Sequence, residues 1–189
     1  MGGTGNKNVA EGGDGNDVFS IEGYKNTTRA DGGAGNDVFS IAQGSSSILR
    51  IDGGTGDDTL TGTSGVNVLD GGAGDDLLIG GAGADTITGG TGTDTADYSA
   101  SASAVTVNLA TNVNTGGDAQ GDSITGVENV IGSSYDDSLT GDAGDNIIRG
   151  GAGADTIDGG TGTDTADYTG SAAVTINLAT NTHSGGDAA

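Results

Sequence analysis

A chain of 189 residues with 41 glycines, no tryptophan, no cysteine and no proline has neither an ordinary aromatic core nor disulfides to hold it together. Its formal charge is −22, from five Lys and Arg against 27 Asp and Glu, which argues against the basic phosphate contacts that nucleic-acid binding needs. No run of about twenty apolar residues offers a helical membrane span.

Between Ile51 and Ile148 there is no Lys or Arg, while the segment holds fifteen Asp and Glu128. Such self-repulsion opposes compaction. Each glycine also costs roughly 0.5–1 kcal/mol more than alanine to order inside regular structure. The same composition suits a disordered chain, but the order of the residues is too regular for a linker.

Taken from the start, MGGTGNKN lacks the basic and apolar regions of a signal peptide. This leaves a cytosolic protein, a fragment of a longer array or export by another route. A decayed nonapeptide, GGTGNKNVA, begins at Gly2 and carries Lys7 at its sixth position. GGDGNDVFS begins at Gly12 and GGAGNDVFS at Gly32. From Gly53 the units run without interruption: GGTGDDTLT, GTSGVNVLD, GGAGDDLLI, GGAGADTIT, GGTGTDTAD. After an insertion they resume at Gly132 with GSSYDDSLT, GDAGDNIIR, GGAGADTID and GGTGTDTAD. A larger repeat lies above these: Gly80 to Ala119 recurs from Gly150 to Ala188 with one deletion.

Each unit divides into a six-residue turn, where glycine admits backbone conformations that a Cβ disfavours, and a three-residue strand with one large apolar residue. Phe19, Phe39, Leu60, Leu69, Leu78, Ile87, Leu139, Ile148 and Ile157 occupy that eighth position. One inward side chain per short strand predicts an all-β parallel solenoid, two units to a coil, with coils stacked at about 4.8 Å. In the insertion, Val105, Val107 and Leu109 alternate with Thr106 and Asn108 as in a half-buried strand, TGGDAQGDSIT resembles a turn unit, and ITGVENVI is a returning strand. The expected organisation is a single module over 1–189. It has longer coils of 20–21 residues over 12–52, a regular block at 53–97, a strand insertion at 98–131 within one widened coil at about 95–131, a second block at 132–167, and the truncated start of a second insertion at 168–189.

Stacking places the sixth-position residues in two rows. Spacing alone puts Asp17, Asp37, Asp58, Asp76, Asp94, Asp137 and Asp155 on one edge, and Asn67, Asp85, Asp122, Asn146 and Asp164 on the other. Like charges about 5 Å apart repel by about 1 kcal/mol in water and severalfold more at a protein surface, so a cation between rungs is required. Ca²⁺ suits carboxylate and carbonyl oxygens, whereas the lack of Cys and the lone His183 disfavour zinc and copper.

The repeated GGxGxD followed by an apolar residue resembles the RTX, or haemolysin-type, calcium-binding nonapeptide repeats. The resemblance implies a right-handed parallel β-roll. It implies Ca²⁺ held by the sixth-position Asp of two turns one coil apart, with carbonyls of the second and fourth positions of one turn and the first and third of the other. For one site these are Gly54, Gly56 and Asp58 facing Gly71, Ala73 and Asp76. In all, roughly five to nine ions are implied. Asn67 and Asn146 replace Asp and halve the charge at their sites, and Lys7 should abolish its own.

The resemblance further implies a calcium-dependent folding module of a larger secreted bacterial protein, leaving the cell by type I secretion and acting outside it or on its surface. An adhesin or ice-binding module, a surface-layer repeat and an accessory module of a protease, lipase or alginate epimerase remain open. With one terminal His there is no Ser/His/Asp arrangement, and the chain reads as no enzyme. Ca²⁺ and the parent polypeptide are its expected partners. The fifth-position acids Asp57, Asp75, Asp136 and Asp145 are expected to point outward as solubilising charge. Asp97 and Asp167 are expected in turns, Tyr98 in core space beside Ala96, and Glu128 has no evident partner.

Overall fold

The computed structural model describes residues 8–21, 28–41, 49–169, 174–177 and 182–185. Each glycine-rich turn is too crowded for side chains and each following triplet is β-prone, so the chain forms short strands separated by sharp turns. In chain order they are β1 (Asn8–Asp14), β2 (Val18–Ile21), β3 (Thr28–Ala34), β4 (Val38–Ile41), β5 (Leu49–Thr55), β6 (Thr59–Thr61), β7 (Asn67–Ala73), β8 (Leu77–Ile79), β9 (Thr86–Thr91) and β10 (Thr95–Asp97). The insertion contributes β11 (Thr106–Asn108), a 3₁₀ turn at Gly117–Ala119 and β12 (Ser123–Thr125). Then follow β13 (Asn129–Ile131), β14 (Ser138–Thr140), β15 (Ile147–Arg149), β16 (Thr156–Asp158), β17 (Thr165–Ala166), β18 (Val174–Asn177) and β19 (Thr182–Gly185).

These strands stack as a parallel β-solenoid. One face is the sheet β1-β3-β5-β7-β9-β12, and the other is an eight-stranded sheet running β2-β4-β6-β8-β10-β13-β15-β17. The first coils advance by 20 and 21 residues, pairing Asn8 with Thr28 and Thr28 with Leu49, and the next by 18, pairing Leu49 with Asn67.

The widened coil expected at about 95–131 is present, and its two faces differ. On the eight-stranded face β10 pairs directly with β13, Thr95 opposite Asn129, so the insertion is passed over. On the other face it supplies two strands: β12 pairs with β9, and β11 pairs with β14, which continues to β16. Side chains bridge the step between β12 and β11. Asn112 Oδ1 accepts the Ile124 N–H (2.8 Å), Asn114 Oδ1 accepts the Asn108 N–H (3.0 Å), and Asn114 Nδ2 donates to the Asp122 carbonyl (3.1 Å). Asn112 holds φ 53°, a left-handed conformation that Asn tolerates better than most residues. β18 and β19 pair antiparallel with each other, Val174 opposite Gly185.

The core is one file of side chains per face. Phe39, Leu60, Leu78, Ala96, Val130 and Ile148 are buried from the eight-stranded sheet, Ile51, Leu69, Ile87 and Ile124 from the six-stranded one, and Val107 and Leu139 from the three-stranded sheet β11-β14-β16. Phe19 and Phe39 stack face to face, centroids 4.5 Å apart and 3° from parallel. Tyr98 is buried, as its parity with the small Ala96 implied.

Candidate metal centre

The residue before each short strand sits at the tight corner of the roll, which aims its side chain along the stack. On the edge leading into the eight-stranded sheet, the Asp17 N–H donates to Asp37 Oδ1 (2.7 Å), Asp37 to Asp58 (2.7 Å), Asp58 to Asp76 (2.8 Å) and Asp76 to Asp94 (2.9 Å). The Asp94 N–H then donates to Glu128 Oε2 (2.9 Å). On the opposite edge the Asn67 N–H donates to Asp85 Oδ1 (2.7 Å) and Asp85 to Asp122 (2.8 Å). Beyond the insertion strand, the Val105 N–H donates to Asp137 Oδ1 (2.7 Å) and Asp137 to Asp155 (2.9 Å).

This differs from the rows that spacing suggested. Asp137 and Asp155 stand on the edge of Asp122, because they lead into β14 and β16. Asn146 and Asp164 stand on the edge of Asp94, leading into β15 and β17, and are joined by a hydrogen bond from the Asn146 N–H to Asp164 Oδ1 (3.1 Å). The reason is Glu128. It occupies the sixth-position place ahead of β13, so the insertion holds a turn on each edge and the assignment of the later acids reverses. Glu128 lacks the preceding GGxG, which hid it. The signal that could have found it is an acid directly before the apolar strand in VENVI.

The second carboxylate oxygen carries the chemistry. Oδ2 of Asp17, Asp37, Asp58, Asp76, Asp85 and Asp94 is buried with no hydrogen-bond partner. A buried polar atom without a partner costs about 1–3 kcal/mol, and more when charged. Five in register on one edge, with Asp85 on the other, are no accident of packing. The space beside them is bounded by oxygen: a β-carbon placed on Gly53 would overlap Asp58 Oδ2 and lie 2.5 Å from the Gly71 carbonyl oxygen. The same holds at Gly12 and Gly32 with Asp17 and Asp37. One coil on, Gly72 has φ 104°, and a β-carbon there would strike the Gly54 carbonyl oxygen. The Ala73 carbonyl accepts the Gly56 N–H (2.7 Å) and retains a lone pair.

Among the described residues no three Asp, Glu or His side chains converge on one point. Any cation here is therefore completed by backbone carbonyls. An all-oxygen donor set of carboxylates and carbonyls, with neither sulfur nor imidazole, fits a hard cation of the Ca²⁺ type.

Not every sixth position is alike. Asp122 Oδ2 accepts the Tyr98 hydroxyl (2.8 Å), and Asp137 Oδ2 accepts the Ser133 N–H (2.5 Å) and hydroxyl (3.0 Å). Burial, the largest cause in each case, pushes the carboxyl of Asp85 up to about 7 and those of Asp94 and Asp122 up to about 6; neighbouring carboxylates add to it and hydrogen-bond donors oppose it. Burial likewise raises Asp58 and Asp76.

The fifth-position acids are exposed, as expected, and also form a ladder of their own. Asp57 Oδ1 accepts the Asp75 N–H (3.0 Å), Asp75 that of Thr93 (2.8 Å), Asp136 that of Ala154 (2.8 Å) and Asp145 that of Thr163 (2.7 Å). Asp97 and Asp167 cap turns by accepting the N–H of Ser99 (2.7 Å) and Thr169 (2.8 Å). Asp167 also pairs with Arg149, and its hydrogen bonds from Thr169 and Arg149 hold its carboxyl at about 2.

A parallel roll with a row of oxygen donors along each edge, most of them carboxylates, is the arrangement of a calcium-binding repeat solenoid. Residues 50–78, 61–96 and 131–166 match the RTX calcium-binding nonapeptide repeat (4 copies). Over these segments the chain is similar to the RTX repeats, a family that binds Ca²⁺. No curated protein is significantly similar to it. Among the described residues no helix is long and apolar enough to cross a membrane.

Proposed function

We propose that this chain is a module that folds on binding Ca²⁺ and belongs to a larger bacterial protein secreted by a type I route. The observation that carries the reading is the set of six buried Oδ2 atoms without partners, five along one edge and Asp85 on the other; beside Asp17, Asp37, Asp58, Asp76 and Asp94 the adjoining space is bounded by a main-chain oxygen of the next coil. Asp17, Asp37, Asp58, Asp76, Asp94 and Asp85 are the primary carboxylate ligands in this reading. Gly54, Gly56, Gly71 and Ala73 supply carbonyls to the ion between Asp58 and Asp76. Asp122, Asp137, Asp155 and Asp164 continue the rows, with Asp122 and Asp137 weakened as ligands because Tyr98 and Ser133 already donate to them.

The physical consequence is a switch. Without the ion the rows repel and the buried oxygens are unsatisfied, so the open chain is favoured. With the ion present, binding energy becomes folding energy. A protein synthesised where free Ca²⁺ is scarce stays open for export and closes where Ca²⁺ is abundant. Circular dichroism tests this: a largely unfolded spectrum in EDTA and strand signal with compaction on adding millimolar Ca²⁺ are expected. A folded spectrum in EDTA that Ca²⁺ leaves unchanged would overturn the reading.

A further inference from the structure

Asn67 occupies the sixth position of its unit and is fully buried. Its backbone plays the same part as that of the aspartates, donating to Asp85 Oδ1. Its side chain does not. Nδ2 lies within hydrogen-bonding reach of the carbonyl oxygens of Thr63 (3.3 Å), Gly65 and Gly80 (3.4 Å) and of Asp85 Oδ1 (3.1 Å). Thr63 and Gly65 are the second and fourth positions of its own turn, and Gly80 is the first position of the turn one coil on. An amide nitrogen has two hydrogens, yet four oxygens surround this one. Oδ1 is turned the other way and accepts the Thr63 hydroxyl (3.2 Å). In the units of Asp17, Asp37, Asp58, Asp76, Asp85 and Asp94 the equivalent buried atom is an oxygen with no partner.

We infer that the Asn67 amide stands in for a cation: its NH₂ fills the oxygen cage between this coil and the next, so that rung is closed by hydrogen bonds and takes no Ca²⁺. The inference rests on the calcium-binding reading above and divides its sites into two kinds. Rungs with aspartate need an ion, and the rung at Asn67 carries its own positive end of a dipole. The neutral amide also leaves Asp85 one carboxylate neighbour fewer. Thr63 orients the amide, since a hydroxyl donated to Oδ1 fixes which end faces the cage. Asn146, on the other edge, does not repeat the device: its Nδ2 donates to the Glu128 carbonyl of the preceding coil (2.7 Å), and its Oδ1 faces its own turn and accepts the Asp142 N–H (2.9 Å).

The test is the number of Ca²⁺ ions held per chain, measured by equilibrium dialysis and elemental analysis for wild type, Asn67→Asp and Asn67→Ala. Asn67→Asp is expected to gain one ion, and Asn67→Ala to lose none while unfolding at lower denaturant. Asn67→Asp binding the wild-type number, or Asn67→Ala losing an ion, overturns the inference, because Asn67 would then be a ligand through Oδ1 or no cage would exist. Should Asn67→Ala fail to fold, the count for Asn67→Asp decides alone. Wild type that takes up no Ca²⁺ overturns instead the reading on which the inference rests.

Discussion

The hydroxyl of Tyr98 reaches across the interior of the roll and donates to Oδ2 of Asp122 at 2.8 Å. It thereby supplies to Asp122 what Asp85, one coil away, lacks. The residue is buried in the core and satisfies a buried carboxylate in one placement. Burial and the adjacent carboxylate of Asp122 push the phenol well above its usual range, so it remains a donor at any physiological pH.

Tyr98→Phe keeps the ring and removes that donor. A buried acceptor left unpaired costs about 1–3 kcal/mol. The expected result is stability lower by that amount, read from a lower denaturant midpoint in saturating Ca²⁺, with an upward move of the Asp122 carboxyl. An unchanged midpoint would mean that the hydrogen bond contributes nothing net.

Asp76 and Asp75 are neighbours with opposite roles. Oδ1 of Asp76 accepts the Asp58 N–H inside the stack and its Oδ2 is partnerless, whereas Asp75 accepts the Thr93 N–H at the surface. Asp76→Ala is expected to raise the Ca²⁺ midpoint of folding severalfold. Asp75→Ala should stay within about twofold, as surface changes usually lie within about 0.5 kcal/mol. Asp17→Ala, in the first described coil, should fall between them, since nearest-neighbour contacts carry solenoid stability. Calcium titrations followed by circular dichroism compare the three, and a larger shift for Asp75→Ala than for Asp76→Ala would contradict the ligand register.

Gly72→Ala and Gly144→Ala separate backbone constraint from composition. At Gly72, φ is 104° and a β-carbon would overlap the Gly54 carbonyl oxygen; at Gly144 it would meet only Asp142 Oδ1, at 3.3 Å. Left-handed backbone alone costs a β-carbon about 1–2 kcal/mol. Gly72→Ala is expected to lose at least that much stability, and Gly144→Ala less than half as much. Denaturant unfolding in Ca²⁺ measures both.

Acid should partly replace the metal. The carboxyls of Asp85, Asp94 and Asp122 titrate at about 7, 6 and 6 in the fold, against about 3.9 for Asp in an unfolded chain. Between about pH 7 and pH 4 the folded state therefore holds more protons than the unfolded state, and stability falls as pH rises. That contribution is fully present below the unfolded value and lost on rising through the folded values. In EDTA, strand signal should grow on acidification from about pH 7.5 to about pH 4.5. In Ca²⁺ the folding midpoint should move to higher concentration below about pH 6, where protons compete for the same oxygens. A flat EDTA profile would contradict the burial of these groups.

Much of this protein was legible in its residues. The nine-residue phase placed an apolar side chain inward once per strand and an acid at each corner, because a parallel coil repeats its environment and a repeated environment selects a repeated residue. That was enough to expect the solenoid, a corner place for each sixth-position residue and oxygen-only donors there. Tertiary structure decided the rest. The edges that Asp137 and Asn146 occupy depend on how many turns the insertion makes, and Glu128 supplies one without the glycines that mark the others. Which carboxylate oxygens are orphaned depends on side chains far away in sequence, Tyr98 for Asp122 among them. Whether Asn67 is a weakened ligand or a substitute for the ion depends on which way its amide turns, a choice set by the Thr63 hydroxyl. Spacing fixes what recurs; only the packed neighbours determine what each recurring residue finds beside it.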